Sequence, residues 1–269
     1  MHFTLGISPC PNDTYIFDAL LHNKIDTLGH TFTYHLHDVE TLNSMAFKAT
    51  YDITKLSFGV IKQVPHYALL QSGAALGNGV GPLLVTANAA HTIWQYNNAS
   101  QIAIALPGRN TTAHFLFNFF AQQYQYKFVK KFMPFDEIQN WLTTNLFQKN
   151  VGVLIHENRF TYQQHGLHLI QDLGNYWQQQ TALPIPLGGI FCNYNYCTET
   201  QQQLQVLVHN SIVYANENYK INLPKFVTTN AQEMSEAVMR QHISLYVNEY
   251  SLALGEKGNA AIKMLIQLL

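Results

Sequence analysis

The stretch FTLGISPCPNDTYIFDALLHN, residues 3–23, decides the fold class of this chain. FTLGIS (3–8) has the composition of a β-strand, and NDTYIFDALLHN (12–23) has helical spacing. HTFTYHLH (30–37) and DITKLS (52–57) are the next two predicted strands, with the helix-like VETLNSMAFKA between them. A βαβαβ opening of this kind is typical of parallel sheets with right-handed crossovers.

A second series of strands and helices follows the first. QIAIALP (101–107) predicts a strand, and a helix begins at TTAHF (111–115). DEIQNWLTTN (136–145) predicts a further helix, and VGVLIH (151–156) a further buried strand. After Asn195 the chain becomes mainly helical.

These two similar halves predict an α/β protein with two lobes. We expect a mixed, mainly parallel sheet in each lobe and a ligand cleft between them, since such clefts are favoured ligand sites. Residues 1–87 are predicted to form the first part of lobe I, residues 88–191 lobe II, and residues 192–269 a mainly helical return to lobe I.

Composition excludes several classes of function. The 269-residue chain has a net charge of −1, with 47% apolar and 12% charged residues, and it has no basic block that would predict a nucleic-acid partner. Its three cysteines form no CxxC pair and are odd in number, which is typical of a reducing compartment. We see neither a signal peptide nor an apolar run long enough for a membrane span, and we predict a cytoplasmic location with no membrane partner.

Four stretches lie at the ends of predicted strands and are candidates for ligand contact. They are SPCPNDT, TKLS, PGRNTT and IHENR, and all four carry small polar residues or glycine. Parallel α/β sheets bind ligands outside the carboxyl ends of their strands. Free N–H groups at the following helices would favour an anion.

Gly108 permits a close backbone approach, and Thr111 and Thr112 then open a predicted helix. A hydroxyl and a free amide on each would suit a carboxylate or a sugar hydroxyl, but threonine is also a common N-cap, and both readings stay open. Ser57 has the same ambiguity. Lys55 lies two residues before Ser57 on the same strand face, either on a solvated surface or opposite an anion.

His156 is the strongest candidate for a catalytic group. An imidazole titrates near neutral pH and can act as a general base. Strand alternation would turn Leu154 and His156 to one side and Glu157 to the other, so a His–Glu dyad is not implied. Arg159 would either contact a substrate anion or pair with Glu157. The alternative is a structural histidine at a strand end.

Two other chemistries are weaker. Cys10 lies between two prolines and would present a nucleophile only if a base were near, so a structural turn is the preferred interpretation. His35 and His37 share a strand face, but HENRF lacks the second histidine of the zinc motif HExxH, and we predict no metal site.

Eight stretches, in order along the chain, carry a resemblance to a known family: SPCPNDT, DVETLN, TKLS, GVGPLL, PGRNTTA, HENRFTY, LPIPLGG and YVNEYSLALGEKG. From about residue 3 to 260 the chain resembles the 1,4-dihydroxy-6-naphthoate synthases of the futalosine route to menaquinone. The resemblance implies a periplasmic-binding-protein-like type II fold. It also implies a carbon–carbon lyase that cleaves cyclic dehypoxanthinyl futalosine to 1,4-dihydroxy-6-naphthoate and dihydroxyacetone, with no redox cofactor or metal.

The resemblance also assigns roles to residues. The base of the family falls on His156, and its substrate contacts fall on Lys55, Leu56, Ser57, Thr111 and Thr112. We add Ser8, Asn12 and Asp13 from their position in the first strand–helix loop, and Arg159 from its position after His156. The substrate would be a small molecule with an aryl carboxylate and a sugar-derived ring. The alternative is a receptor of the same fold that binds a small carboxylate without chemistry.

Overall fold

The structure is a computed structural model of the chain. It describes residues 1–88, 101–123, 127–145, 150–231 and 235–269.

The chain forms two compact units. Unit 1 contains Met1–Leu76 and Pro186–Leu269, and unit 2 contains Gly77–Ile185. The division therefore falls after residues 76 and 185, whereas the sequence interpretation placed the lobe boundaries after residues 87 and 191.

Unit 1 combines a β-sheet with helices from both ends of the chain. Its strands are β1 (His2–Ile7), β2 (Thr31–Leu36), β3 (Ile53–Ser57), β4 (Tyr67–Leu69), β5 (Ala75–Gly77) and β11 (Ile185–Asn193). Its helices are α1 (Pro11–Leu21), α2 (Val39–Ala46), α7 (Thr198–Asn218), α8 (Lys225–Asn230), α9 (Glu236–Tyr246), α10 (Glu249–Leu252) and α11 (Gly255–Leu268). The strands β5 and β11 each extend one residue across the division.

The sheet of unit 1 has the strand order β2-β1-β3-β11-β4, and β5 pairs with β11. The strands β2, β1 and β3 are parallel, because α1 and α2 supply the crossovers between them. The strand β11 returns antiparallel to both β3 and β4. The core contains Phe3, Leu5 and Ile7, which alternate along β1, together with Phe17 of α1 and Leu207 of α7.

Unit 2 repeats this combination on a smaller scale. Its strands are β6 (Leu83–Thr86), β7 (Gln101–Leu106), β8 (Lys127–Phe132), β9 (Asn150–Leu154) and β10 (His168–Asp172). Its helices are α3 (Thr112–Ala121), α4 (Glu137–Thr144), α5 (Asn158–Thr161) and α6 (Leu173–Thr181). Its core includes Val85, Ala105, Ile138 and Leu154.

The two sheets share one topology. Read from its other edge, the sheet of unit 2 has the order β8-β7-β9-β6-β10, in which β8, β7 and β9 are parallel and β6 is antiparallel to both β9 and β10. The loop from β7 to α3 therefore corresponds to the loop from β1 to α1, and the end of β9 corresponds to the end of β3. The prediction of two similar α/β halves, each with a mixed sheet, is confirmed.

Candidate functional site

The first polar group lies in unit 1, where the β1–α1 loop meets β3. We call Ser8, Asn12, Asp13 and Lys55 the unit 1 polar cluster. The Asp13 carboxylate accepts hydrogen bonds from Ser8 Oγ at 2.6 Å and Ser8 N at 3.3 Å. It also accepts from Asn12 Nδ2 at 2.8 Å and from Lys55 Nζ at 2.7 Å. Four of the residues predicted to contact a ligand are therefore joined through one carboxylate.

Lys55 is an unusual lysine because its charged end is buried. The side chains of Lys55 and Asp13 are 7% and 1% exposed. A buried ammonium is tolerated only when it is paired. Among the described residues of unit 1, Asp13 is its only hydrogen-bond acceptor, and an ammonium has three N–H donors. Lys55 thus combines a fixed position with remaining capacity to donate.

Ser57 ends β3 beside this cluster. Its backbone N–H donates to Asn43 Oδ1 at 2.9 Å, and Asn43 of α2 has no exposed surface. Leu56 is also fully buried. Gly188 of β11 fits against this strand because a Cβ there would lie 2.7 Å from the Leu56 carbonyl oxygen and 3.2 Å from Lys55 Cε. Asn43 was missed from the sequence, since nothing local to helix α2 indicates that it reaches β3.

Cys10 begins helix α1 in the same loop. Its carbonyl accepts from the backbone N–H groups of Asp13 and Thr14, each at 3.1 Å. Pro11 occupies the first helical position, where its fixed φ is suited to a helix. The residue is buried, and its backbone N–H donates to Ser8 Oγ at 3.4 Å. Cys10 therefore lies in a hydrogen-bonded turn that begins helix α1, which agrees with the structural turn preferred from the sequence.

The second polar group lies in unit 2, at the carboxyl ends of β7 and β9. Thr111 is the N-cap of α3: its Oγ1 accepts from His114 N at 3.2 Å and donates to the Gly108 carbonyl at 3.0 Å. Gly108 has a φ of 148°, which glycine tolerates. Thr111 and Thr112 are both buried. Thr111 therefore has the N-cap role that the sequence analysis left open as one alternative, and contact of Thr111 with a ligand stays a prediction.

A basic network fixes the loop that precedes Thr111. His114 Nδ1 lies 2.9 Å from the Arg109 carbonyl oxygen, and Lys130 Nζ lies 3.1 Å from His114 Nε2. A carbonyl only accepts and an ammonium only donates, so His114 is neutral with its proton on Nδ1. Burial lowers the pKa of His114, and the charges of Lys130 and Arg109 lower it further. The sequence interpretation did not find this network, because Lys130 lies on the neighbouring strand.

His156 follows β9 in a left-handed backbone conformation. The strand ends at Leu154, and His156 has a φ of 54°. The predicted alternation of Leu154 and His156 is therefore wrong, because the strand ends before His156 and the chain turns there. A left-handed residue with a Cβ costs roughly 1–2 kcal/mol. The imidazole is half-buried and packs edge-on against the Phe135 ring, with centroids 4.8 Å apart.

Glu157 adds a second titratable group to this turn. Burial raises the pKa of its carboxyl, and the nearby charge of Asp136 adds to that increase. Glu157 is also the N-cap of the short helix α5, and its carbonyl accepts a hydrogen bond from Phe160 N at 2.8 Å.

Arg159 is held within unit 2 by a residue that the sequence interpretation did not select. Its Nη2 lies 2.7 Å from Asp172 Oδ2, and its Nη1 donates to the Gly81 carbonyl. The partner considered from the sequence was Glu157, and the structure instead places Asp172 there. Asp172 is the N-cap of α6. Aspartate is a common N-cap, so its place directly before the helical stretch LGNYW could have indicated that role from the sequence.

No metal centre accompanies these groups in the described ranges. There, no set of three or more His, Cys, Asp or Glu side chains is arranged to hold a metal ion. His37 Nε2 instead lies 2.9 Å from the Tyr51 hydroxyl, and the His35 ring stacks on the same tyrosine.

The two groups occupy equivalent positions in the two sheets. The unit 1 polar cluster lies at the carboxyl ends of β1 and β3, and Thr111, Thr112 and His156 lie at the carboxyl ends of β7 and β9. This is the edge at which open α/β sheets bind ligands.

Comparison with known proteins agrees with this placement. A family described as menaquinone biosynthesis matches residues 3–269. The chain belongs to this family. It is 38% identical to a 1,4-dihydroxy-6-naphthoate synthase of Thermus thermophilus, over 97% of this chain and 91% of the relative. A synthase of the same name from Streptomyces coelicolor is also 38% identical, over 97% of this chain and 90% of the relative. The resemblance seen in the sequence motifs is thus confirmed, and this member of the menaquinone-biosynthesis family is an enzyme.

Solved structures confirm the fold of this family member. An Archaeoglobus fulgidus protein superposes with a TM-score of 0.88 at 29% identity, over 99% of this chain and 96% of that one. A Candida albicans protein described as having the generic periplasmic binding protein fold superposes with a TM-score of 0.65 at 10% identity, over 99% and 90% of the two chains. The menaquinone-biosynthesis enzyme therefore has a periplasmic-binding-protein-like fold. Within its described residues, no helix has the length and apolar character that a bilayer crossing requires.

Proposed function

We propose that this enzyme is a carbon–carbon lyase that converts cyclic dehypoxanthinyl futalosine to 1,4-dihydroxy-6-naphthoate and dihydroxyacetone. The family supports menaquinone biosynthesis and naphthoate synthesis. The observation that carries the finer proposal is the position of His156, a left-handed residue at the carboxyl end of a parallel strand. Unfavourable backbone conformations of this kind concentrate at functional sites, because the surrounding structure must hold them.

His156 is proposed to be the general base. A neutral imidazole removes a proton from the sugar-derived part of the substrate, and a retro-aldol-type cleavage then breaks the carbon–carbon bond to the three-carbon fragment. The ring that remains becomes aromatic, which favours the product side. The packing of the imidazole against Phe135 limits its orientations and so supports a fixed direction of proton transfer.

Thr111 and Thr112 are proposed to bind the oxygens that gain negative charge during cleavage. Both are buried at the N-terminus of α3, Thr111 as the N-cap and Thr112 as the first helical residue, where N–H groups and the helix dipole favour negative charge. Because β7 and β9 are adjacent parallel strands, this turn and His156 lie at the same edge of the sheet of unit 2.

Lys55 is proposed to bind the aryl carboxylate, with Ser57 beside it. The buried Lys55 ammonium is fixed by Asp13 and retains donor capacity, and a charge-assisted hydrogen bond to a carboxylate is stronger than a neutral one. The proposed role of Asp13 is to hold the Lys55 ammonium in place, with Ser8 and Asn12 donating to the same carboxylate. These three residues support Lys55 and are not proposed to bind the carboxylate of the substrate themselves. The substrate is thus a small molecule with an aryl carboxylate and a sugar-derived ring, and a cytoplasmic location stays a prediction.

The test is product formation from the proposed substrate. Purified protein is incubated with cyclic dehypoxanthinyl futalosine, and the products are identified by mass spectrometry. We expect 1,4-dihydroxy-6-naphthoate and dihydroxyacetone in equal amounts. Binding of the substrate without any product would instead support the non-catalytic receptor and contradict the proposal, as would a different pair of products.

A further inference from the structure

We propose that Arg159 and Asp172 are positioning residues that hold the turn carrying His156 in its active conformation. This inference rests on the proposed role of His156 as the base. It also gives Arg159 a role other than the substrate contact predicted from the sequence. Nothing in the sequence motifs or in the family resemblance assigned a role to Asp172.

The turn at His156 needs an external restraint. Its left-handed φ of 54° is unfavourable for a residue with a Cβ, so the free chain would leave this conformation. Helix α5, which follows directly, has four residues and is too short to be stable alone. Contacts outside the turn must therefore hold it.

Arg159 supplies that restraint from three residues further along. Its backbone N–H donates to the His156 carbonyl at 3.3 Å, so the two residues close one helical turn. Its guanidinium donates to Asp172 Oδ2 at 2.7 Å and to the Gly81 carbonyl. The two side chains of the ion pair are each only 13% exposed, which limits the screening of their attraction by water.

Asp172 is itself fixed by the backbone around it. Its Oδ1 accepts from Gly81 N at 2.9 Å, from Gly174 N at 2.9 Å and, in addition, from Asn175 N at 3.2 Å. One carboxylate thus binds Arg159 through one oxygen and three backbone amides through the other. The planar guanidinium can bind it only within a narrow range of orientations.

The anchor behind Asp172 has little freedom to move. Backbone packs directly on backbone there: a Cβ at Gly81 would lie 2.7 Å from Gly174 N, and a Cβ at Gly174 would lie 2.4 Å from Gly81 N. The close packing of Gly81 on Gly174 fixes Asp172. Asp172 in turn fixes the Arg159 guanidinium, and the Arg159 backbone N–H binds the His156 carbonyl.

A second contact holds the opposite side of the turn. Asn158 Nδ2 donates to the Phe135 carbonyl at 3.3 Å, and the Phe135 ring packs against the His156 imidazole. With Arg159 restrained as well, the turn is held on both sides of its helical segment. Loss of the Arg159 contact would remove the charged one of these attachments and leave the neutral Asn158 contact.

The alternative is an ion pair that contributes to stability alone. The two roles differ in their effect on kinetics. Misplacement of a base by about 1 Å lowers the rate of the chemical step about 100-fold. It leaves substrate affinity largely intact when the binding groups are elsewhere. A purely structural pair would instead lower thermal stability without changing kcat of the folded enzyme.

The variants are Asp172→Asn and Arg159→Lys. Asparagine keeps an oxygen that can cap α6 but removes the charge that binds Arg159. Lysine keeps the charge of Arg159 but not its planar two-point geometry. The matched control is Arg240→Lys in unit 1, where Arg240 Nη2 lies 2.7 Å from Glu236 Oε1.

The first measurement is steady-state kinetics with cyclic dehypoxanthinyl futalosine, alongside the thermal midpoint. We expect kcat of both variants to fall about 10- to 100-fold, with KM within about threefold of the wild-type value. The double variant should be no slower than the slower single one, because both changes remove one contact. Unchanged kcat in the folded variants would overturn the inference, while loss of activity in His156→Asn alone would leave the proposed function intact.

The second measurement does not depend on turnover. The imidazole resonances of His156 are identified in NMR spectra by their loss in His156→Asn. We expect them to shift or broaden in Asp172→Asn and Arg159→Lys, and to stay in place in Arg240→Lys. Identical His156 resonances in the wild type, Asp172→Asn and Arg159→Lys would overturn the inference, whether or not the wild type converts the proposed substrate. Failure of the wild type to convert that substrate would by itself contradict only the proposed function.

Discussion

Lys55 and Asp13 form a buried ion pair in unit 1, with Nζ 2.7 Å from Oδ1 and side chains that are 7% and 1% exposed. Lys55 lies on β3, whereas Asp13 lies in the first turn of α1. The pair therefore joins two adjacent strand–helix connections at the edge where we place the carboxylate of the substrate.

This pair predicts unequal effects of removing its two members. Asp13→Asn leaves an uncompensated buried ammonium and should lower the free energy of unfolding by about 3–5 kcal/mol. Lys55→Met should cost less, because the Asp13 carboxylate keeps its donors from Ser8 and Asn12. The double variant should recover part of the loss caused by Asp13→Asn. Urea denaturation measures all three.

The exposed pair Arg240–Glu236 is the control for that series. Glu236→Gln should cost only about 0.2–1 kcal/mol, because exposed ion pairs are screened by water. Equal losses from Asp13→Asn and Glu236→Gln would show that the Lys55 ammonium is not buried as described.

The neutral state of His114 predicts a pH dependence of stability. Burial, with the charges of Lys130 and Arg109, lowers its folded-state pKa below the ordinary histidine value of about 6.5, so the unfolded chain binds more protons just below that pH. The contribution of His114 is therefore complete above about pH 6.5 and is lost as the pH falls toward the folded-state pKa. His114→Gln should weaken this acid-side loss. The check is the difference in unfolding free energy between the wild type and the variant, measured from about pH 8 to about pH 5. A difference that stays constant over this range would show that the pKa of His114 is the same in the folded and unfolded chains, and a difference that grows as the pH falls would show that folding raises it; either result would contradict the neutral state of His114.

Gly81 is predicted to be intolerant of any side chain. A methyl group there would meet the backbone of Gly174 at 2.7 Å. We expect Gly81→Ala to lower the free energy of unfolding by about 1–3 kcal/mol through overpacking. Gly166→Ala is the control, since Gly166 has a φ of 69° but no atom within 4 Å of the added Cβ, and its cost is the backbone cost alone. A smaller loss at Gly81 than at Gly166 would contradict the close packing of α6.

The cysteines should differ sharply in reactivity toward a thiol reagent such as Ellman's reagent. Burial raises the pKa of Cys192 to about 11, whereas hydrogen bonds from the Thr200 side chain and backbone lower the pKa of the exposed Cys197. The thiolate is the reactive form. Cys197 should react first in the folded enzyme, and Cys197→Ser should remove the fast phase. A fast phase that persists in this variant would contradict the assignment.

The fold could be predicted from the sequence to a large extent, because hydrophobic period and strand–helix alternation are local properties. The rule that ligands bind at the carboxyl ends of parallel strands also selected Lys55, Ser57, Thr111 and His156, all of which lie at such ends. A position at a strand end does not by itself establish a catalytic or binding role, so the roles proposed for these residues stay predictions.

The remaining features depend on tertiary contacts that sequence spacing does not carry. Arg159 meets Asp172 because β10 pairs antiparallel with β6, which brings Gly81 and the start of α6 together. The left-handed backbone of His156 was missed because VGVLI reads as one continuous buried strand. Ser57 binds Asn43 across a helix–strand contact of the same kind.

The most direct test of the account compares the wild type with His156→Asn in single-turnover reactions with cyclic dehypoxanthinyl futalosine. Asparagine tolerates a left-handed backbone, so the variant should keep the fold while losing the base. We predict a loss of about 100- to 10,000-fold in the rate of naphthoate formation, with unchanged substrate binding. A variant that forms naphthoate at the wild-type rate would contradict the assignment of His156 as the general base.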